Sequence, residues 1–341
     1  MVRYWKKLLI EAVKSAEVTY DCPYRWPSLP TNNTSKILKA IFKYCVSPLD
    51  ARIRVPSSIV HITDHSMAHL IPFIPKSKKI VVTVHDLFPL LNPVNLTSQQ
   101  VNRYRRSVEN LTKADQLICV SEYTRHEVRR NLGISLEKMI VIPEGATEFF
   151  ITSSHTKCIH GDNTIRLLSV GSNLPRKNLR ILADIAAILL EKGFFVEILR
   201  VGVQIDFVLR EKFNQLDPTR FTFKELGLVP DNILLKCYCN SDCLIMPSYQ
   251  EGFGLPVLEA MAAGCPVVCS NATALPEAGG AAALYFDPDN SAEAVRHILD
   301  IKSQPQLLIN QIKMGHERCR LLSWKNHFDG VKTVYEKLLT R

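Results

Sequence analysis

Short, continuously apolar runs alternate with amphipathic segments along most of this chain. A strand buried on both faces reads as such a run, and parallel strands need a crossover, usually a helix, between them. The alternation therefore predicts an α/β fold with parallel sheets. In the first half, strands are expected at residues 58–62, 79–84, 116–120 and 139–142. In the second half they are expected at 165–170, 195–201, 243–246, 266–269 and 283–285. Helices are expected at 121–131, 178–192, 231–240, 255–263 and 324–339. Ser121 is placed to cap the first of these, with Gly133 beyond its end. The polar stretch 148–163 breaks the rhythm and reads as a linker. A chain of 341 residues is long enough for two cores, so domains are expected at 1–150 and 151–323, followed by a final helix at 324–341.

Composition narrows the classes. An apolar fraction of 46% excludes wholesale disorder. No apolar run approaches the ~20 residues that cross a bilayer. The start, MVRYWKKLLIEAVKSAE, is amphipathic and lacks the apolar centre of a signal peptide, so a cytoplasmic protein is expected. Ten cysteines then read as reduced thiols rather than a disulfide framework. Cys237, Cys239 and Cys243 are closely spaced, as are His61, His65 and His69. The cysteines lack a fourth ligand at a familiar spacing and His61 is expected to end a strand, so no metal centre is expected. The net charge of +9 is unevenly placed, with 21 Lys/Arg against 13 Asp/Glu in residues 1–150 and 21 against 20 thereafter. A basic first half suits an anionic membrane surface or an anionic acceptor. The charge has no interleaved stacking aromatics, so nucleic acid is not expected.

The segment EGFGLPVLEAMAAGCPVV, Glu251 to Val268, carries the most chemistry. Gly252 and Gly254 let the backbone turn tightly and a ligand come close. Phe253 and Leu255 flank the turn, and Pro256 suits an early helix position. The N–H groups at this helix start are suited to a phosphate. Glu251 and Glu259 add two carboxylates able to accept hydroxyls, and a phosphate beside hydroxyls suggests a sugar nucleotide. A second stretch, VGSNLPRKNL, contains Gly171, Ser172, Arg176 and Lys177. Its cations are suited to the charge on a departing nucleoside diphosphate.

This pattern resembles the retaining glycosyltransferases of family 4, and the resemblance runs over nearly the whole chain. It implies the GT-B fold, with two Rossmann-like domains facing across a cleft and a last helix crossing back to the first. Family members usually begin with a buried strand and a glycine-rich loop. This chain starts at what looks like the following helix, so the first strand of the N-terminal domain is expected to be missing. By the resemblance, Glu251 contacts the transferred sugar, Glu259 binds the donor ribose, and Lys177 is the essential cation at the donor phosphates, beside Arg176. Many members carry an arginine where Ser172 stands, and an asparagine where Glu144 stands in PEGA.

His85 opens HDLFPLLNP at the end of an expected strand, where ligands bind in open α/β sheets. The resemblance places it near the sugar and the acceptor hydroxyl. Asp64, His65 and Asp86 are expected on the acceptor side. Ser121 and Glu122 read best as a helix cap.

The implied activity is retaining, metal-independent transfer of mannose or a glucose-type sugar. The donor is expected to be a GDP- or UDP-linked sugar, the acceptor a glycan or lipid-linked hydroxyl, and no cofactor is expected. Cell-surface polysaccharide or glycolipid synthesis at the inner membrane face is the expected setting. The alternative is a catalytically inactive, truncated GT-B protein acting as a donor-binding or scaffold protein.

Overall fold

A computed structural model describes residues 58–94, 96–152, 157–158 and 161–340. They fall into two compact units, one running to Ile142 and resuming at Phe328, the other spanning Pro143–His327. The amphipathic start and the expected loss of a first strand lie outside the described residues, as do parts of the expected linker.

The first unit is built on four parallel strands, β1 (Ile59–Ile62), β2 (Lys79–Val84), β3 (Gln116–Cys119) and β4 (Met139–Val141), side by side in chain order. All four lie where the apolar runs predict, and β2 and β3 are buried along almost their whole length. Helix Glu122–Leu132 begins at Ser121, whose hydroxyl accepts from the Thr124 N–H at 3.0 Å, and ends at Gly133 with φ +65°. That is the expected pair of caps. Helix Ser98–Glu109 opens with a capping box between Thr97 and Gln100. The last helix, Trp324–Leu339, contributes Tyr335, which meets His61 Nδ1 at 2.5 Å.

The second unit holds six parallel strands, β5 (Thr164–Gly171), β6 (Phe195–Gly202), β7 (Phe221–Glu225), β8 (Cys243–Met246), β9 (Val267–Ser270) and β10 (Ala283–Phe286). Their order is β10-β9-β8-β5-β6-β7. The chain thus builds outward from β5 in one direction, then returns to its other side with β8. Strands β8 and β9 are wholly buried, as continuous apolar runs require.

Three elements depart from the sequence expectation. Strand β7 is absent from it. FTFKE is an edge strand with one covered face, so it alternates instead of forming an apolar run. The helix expected from residue 178 begins at Ile181, because Asn178 takes a left-handed conformation (φ 49°) and its side-chain amide donates to the Pro288 carbonyl at 2.7 Å. Glu148–Thr152, expected as linker, is a short helix that buries Phe150.

Candidate active site

The order of the second sheet decides where a ligand can sit. Strands β5 and β8 are neighbours whose following segments diverge to opposite sides, a topological switch point. Beyond β5 comes the loop with Gly171, Ser172, Arg176 and Lys177. Beyond β8 comes the loop with Glu251, Gly252, Phe253 and Gly254. The two loops meet. Lys177 Nζ donates to Glu251 Oε1 at 2.5 Å, and an Arg176 guanidinium nitrogen lies 3.4 Å from Glu251 Oε2 and donates to the Gln250 carbonyl at 2.7 Å. The Arg176 carbonyl accepts from the Tyr249 N–H at 2.8 Å.

Glu251 is buried, with 6% of its surface exposed. Burying a carboxylate is costly unless it is paired and hydrogen-bonded. Here the two cations and the Ser248 hydroxyl, donating at 2.7 Å, supply that pairing. Burial also pushes the Lys177 ammonium below the ordinary lysine range, opposed by the charge of Glu251. The backbone of Glu251 is held separately, its N–H donating to Thr273 Oγ1 at 2.9 Å. Thr273 adopts φ +53°, a strained conformation for a β-branched residue. Ser248 is fixed in turn by Ser270, whose hydroxyl donates to its carbonyl at 2.5 Å.

Gly254 is the turn before helix Leu255–Ala262, with φ +111°, and a Cβ there would lie 2.8 Å from Leu275 Cδ2. Glycine is needed on both counts. Phe253 and Glu259 point into the protein, at 4% exposure each, whereas Leu255 and Gly252 are half-buried. The Glu259 carboxylate accepts the Tyr238 hydroxyl at 3.3 Å.

In the first unit, the residues expected on the acceptor side form a connected polar group at the carboxyl ends of β1 and β2. His65 Nδ1 accepts from the His85 N–H at 3.3 Å, which leaves Nε2 to donate to the Tyr104 hydroxyl at 2.9 Å. His85 Nε2 donates to the Thr63 carbonyl at 2.9 Å. Asp64 accepts from the Ser66 N–H at 2.7 Å and begins a 3₁₀ segment, His65–Phe73, while Asp86 accepts from the Phe88 N–H at 3.2 Å. The Thr124 hydroxyl donates to the His85 carbonyl at 3.3 Å. Asp64 and His65 are buried; His85 and Asp86 are half-buried and accessible.

Comparison with known proteins gives this geometry its family. A model described as Glycosyltransferase Family 4 matches residues 20–147, and one described as Glycosyl transferases group 1 matches residues 164–303. The chain belongs to family 4 of the glycosyltransferases. Among family relatives, O-antigen chain mannosyltransferase B of Escherichia coli is 29% identical over 73% of this chain and 68% of its own length. The serotype-specific mannosyltransferase WbdA of Escherichia coli is 28% identical over 73% of this chain, a match that spans 32% of that longer protein. Sucrose-phosphate synthase from Thermosynechococcus elongatus superposes with a TM-score of 0.74 at 19% identity, over 99% of this chain and 93% of its own. That likeness establishes the fold, which is GT-B.

Sequence reasoning finds Glu251, Lys177 and Arg176, and the structure brings them together. Sequence reasoning misses Thr273, Ser248, Ser270 and Tyr104. None of these sits in a distinctive spacing, and a left-handed threonine has no local signal. No helix among the described residues is long and apolar enough to cross a membrane. Among those residues no three His, Cys, Asp or Glu side chains are arranged to hold a metal ion.

Proposed function

We propose that this glycosyltransferase moves a hexose from a nucleotide-diphospho-sugar to a hydroxyl of a cell-surface glycan, retaining anomeric configuration and using no metal. The observation that carries the reading is the meeting of Lys177 and Arg176 on Glu251 at the switch point of the second sheet. A departing diphosphate needs positive charge held in place before the bond breaks, and two side chains on one short turn supply it. Glu251, held between those cations, is assigned to the hydroxyls of the transferred sugar. Glu259 is assigned to the donor ribose, with Tyr238 orienting it. His85, Asp64, His65 and Asp86 are assigned to the acceptor side.

Mannose is favoured over glucose, because O-antigen chain mannosyltransferase B, WbdA and a mycobacterial MMP alpha-(1->4)-mannosyltransferase are among the named relatives. The basic first half is assigned to an anionic membrane surface at the cytoplasmic face. Sedimentation with vesicles should rise with their anionic lipid content, and indifference to that content would remove this assignment.

The primary test is calorimetric titration with GDP, UDP and ADP, beside Glu259→Gln. One nucleotide should bind, and more weakly to the variant. A cooperatively folded chain that binds none of the three would sink the reading.

A further inference from the structure

Arg200, on β6, is 1% exposed, and its guanidinium lies under the loop that follows β5. One terminal nitrogen donates to Ser169 Oγ at 3.1 Å, the other to the carbonyls of Gly171 at 2.7 Å and Ser172 at 2.8 Å. Its Nε is buried without a hydrogen-bond partner. Among the described residues no carboxylate comes within ion-pair distance of it. Glu225, the carboxylate whose charge it feels, is engaged by Arg210 and by the Ile205 N–H. Burial pulls Arg200 down to about 10, so the group stays charged at neutral pH. An unpaired buried cation is expensive, and this one borders Lys177 closely enough to depress it. Arg176 and Lys177 share the one carboxylate Glu251, and Arg200 adds a further positive charge felt by Lys177.

The loop's own geometry points the same way. A carbonyl and the N–H that follows it lie on opposite sides of a planar trans peptide. With the Gly171 and Ser172 carbonyls turned to Arg200, the N–H groups of Ser172 and Asn173 turn away from it. Neither has a partner among the described residues. Two successive N–H groups on one side of a loop make an anion cradle. Gly202 completes the layer beneath, since a Cβ there would lie 1.9 Å from the Gly171 oxygen.

We propose that Arg200 is the positioning residue of the diphosphate cradle: it fixes the Gly171–Ser172 peptides so that the Ser172 and Asn173 N–H groups face the donor's diphosphate, and it adds positive charge beneath that ligand. This rests on the donor reading above. It has a buried arginine from β6 support, from beneath, the loop that carries Ser172.

The test compares calorimetric affinities for a nucleoside, its monophosphate and its diphosphate, using the base that the unsubstituted chain binds. Arg200→Met should weaken the diphosphate by about tenfold or more, the monophosphate less, and leave the nucleoside unchanged. Arg200→Lys keeps the charge but not the forked donors and should recover only a minor part of the loss; full recovery would assign the effect to charge and overturn the positioning role. If Arg200→Met does not unfold cooperatively, Ser169→Ala decides. It removes one anchor of the guanidinium and should weaken the diphosphate by about threefold while sparing the nucleoside. Equal weakening of all three ligands, or an undiminished diphosphate affinity in a folded variant, would overturn the positioning role alone. No diphosphate binding by the unsubstituted chain would overturn the donor reading and the role with it.

Discussion

Lys177 and Glu251 are 74 positions apart in the chain, yet their charged atoms lie 2.5 Å from each other. Each is buried enough that losing the other leaves an uncompensated charge. Glu251→Ala should therefore lower the unfolding free energy by about 3 kcal/mol, read from the denaturant midpoint. An unchanged midpoint would mean that water already screens the pair. Glu251→Gln separates binding from chemistry. It keeps the shape but releases Lys177 and Arg176 from the carboxylate, so nucleoside diphosphate affinity should hold or rise. Turnover, followed as diphosphate release, should fall by about a hundredfold or more. A variant that turns over normally would exclude Glu251 from the reacting sugar. The glycine turn and the paired glutamates identify Glu251 from sequence. Its support by Ser248 and the strained Thr273 is invisible there, because both contacts depend on how two loops fold against each other.

Two glycines at element ends separate conformational strain from collision. Gly133 closes helix Glu122–Leu132 at φ +65° with no atom within 4 Å of where a Cβ would stand. Gly202 ends β6 at φ +130° with that position occupied by the Gly171 oxygen. Gly133→Ala should cost about 1 kcal/mol, the left-handed penalty alone. Gly202→Ala should cost more than about 3 kcal/mol, adding overpacking to that penalty, and should also weaken nucleotide binding by moving the phosphate loop. Thermal unfolding and titration of both variants check this, and equal costs would contradict the close approach of the two strand ends. Elements with a strong local signature are legible from sequence: the wholly apolar β8 and β9, and a helix with serine before it and glycine after. Strand β7 is not, because an edge strand covered on one face has a weaker pattern. The late start of helix Ile181–Glu191 is not, because Asn178 is set by a bond to Pro288, 110 positions away.

Across the whole molecule, seven of the eight described cysteines are buried free thiols. Burial pushes both Cys119, in the first unit, and Cys319, in the second, from near 9 up to about 12. Cys243, Cys265 and Cys269 are raised for the same reason. A thiol with a raised folded-state pKa keeps its proton after the unfolded chain has lost it. Stability is therefore full below about pH 9 and falls as pH rises toward 12. The slope is about 1.4 kcal/mol per pH unit for each such thiol. Lys177 and Arg200, both shifted downward, work against this as pH approaches and passes about 10, but they are two groups against several. Denaturant unfolding in reductant at pH 8 and pH 10 should show the midpoint falling at the higher pH. A flat profile would mean that the thiols titrate in the folded chain as in the unfolded one.

Local chemistry by itself determines much of this protein. Apolar period sets where strands and helices form, glycine and serine set where several of them end, and the residues from Glu251 to Val268 carry the family. These depend on near neighbours in the chain, so they can be read in order. Only the tertiary structure decides which charges meet. The reversal of strand order between β5 and β8 brings Lys177 to Glu251, and the pairing of β5 with β6 sets Arg200 beneath Gly171. Those are long-range contacts, fixed by which strands lie side by side, and strand neighbourhood is a property of the packed sheet.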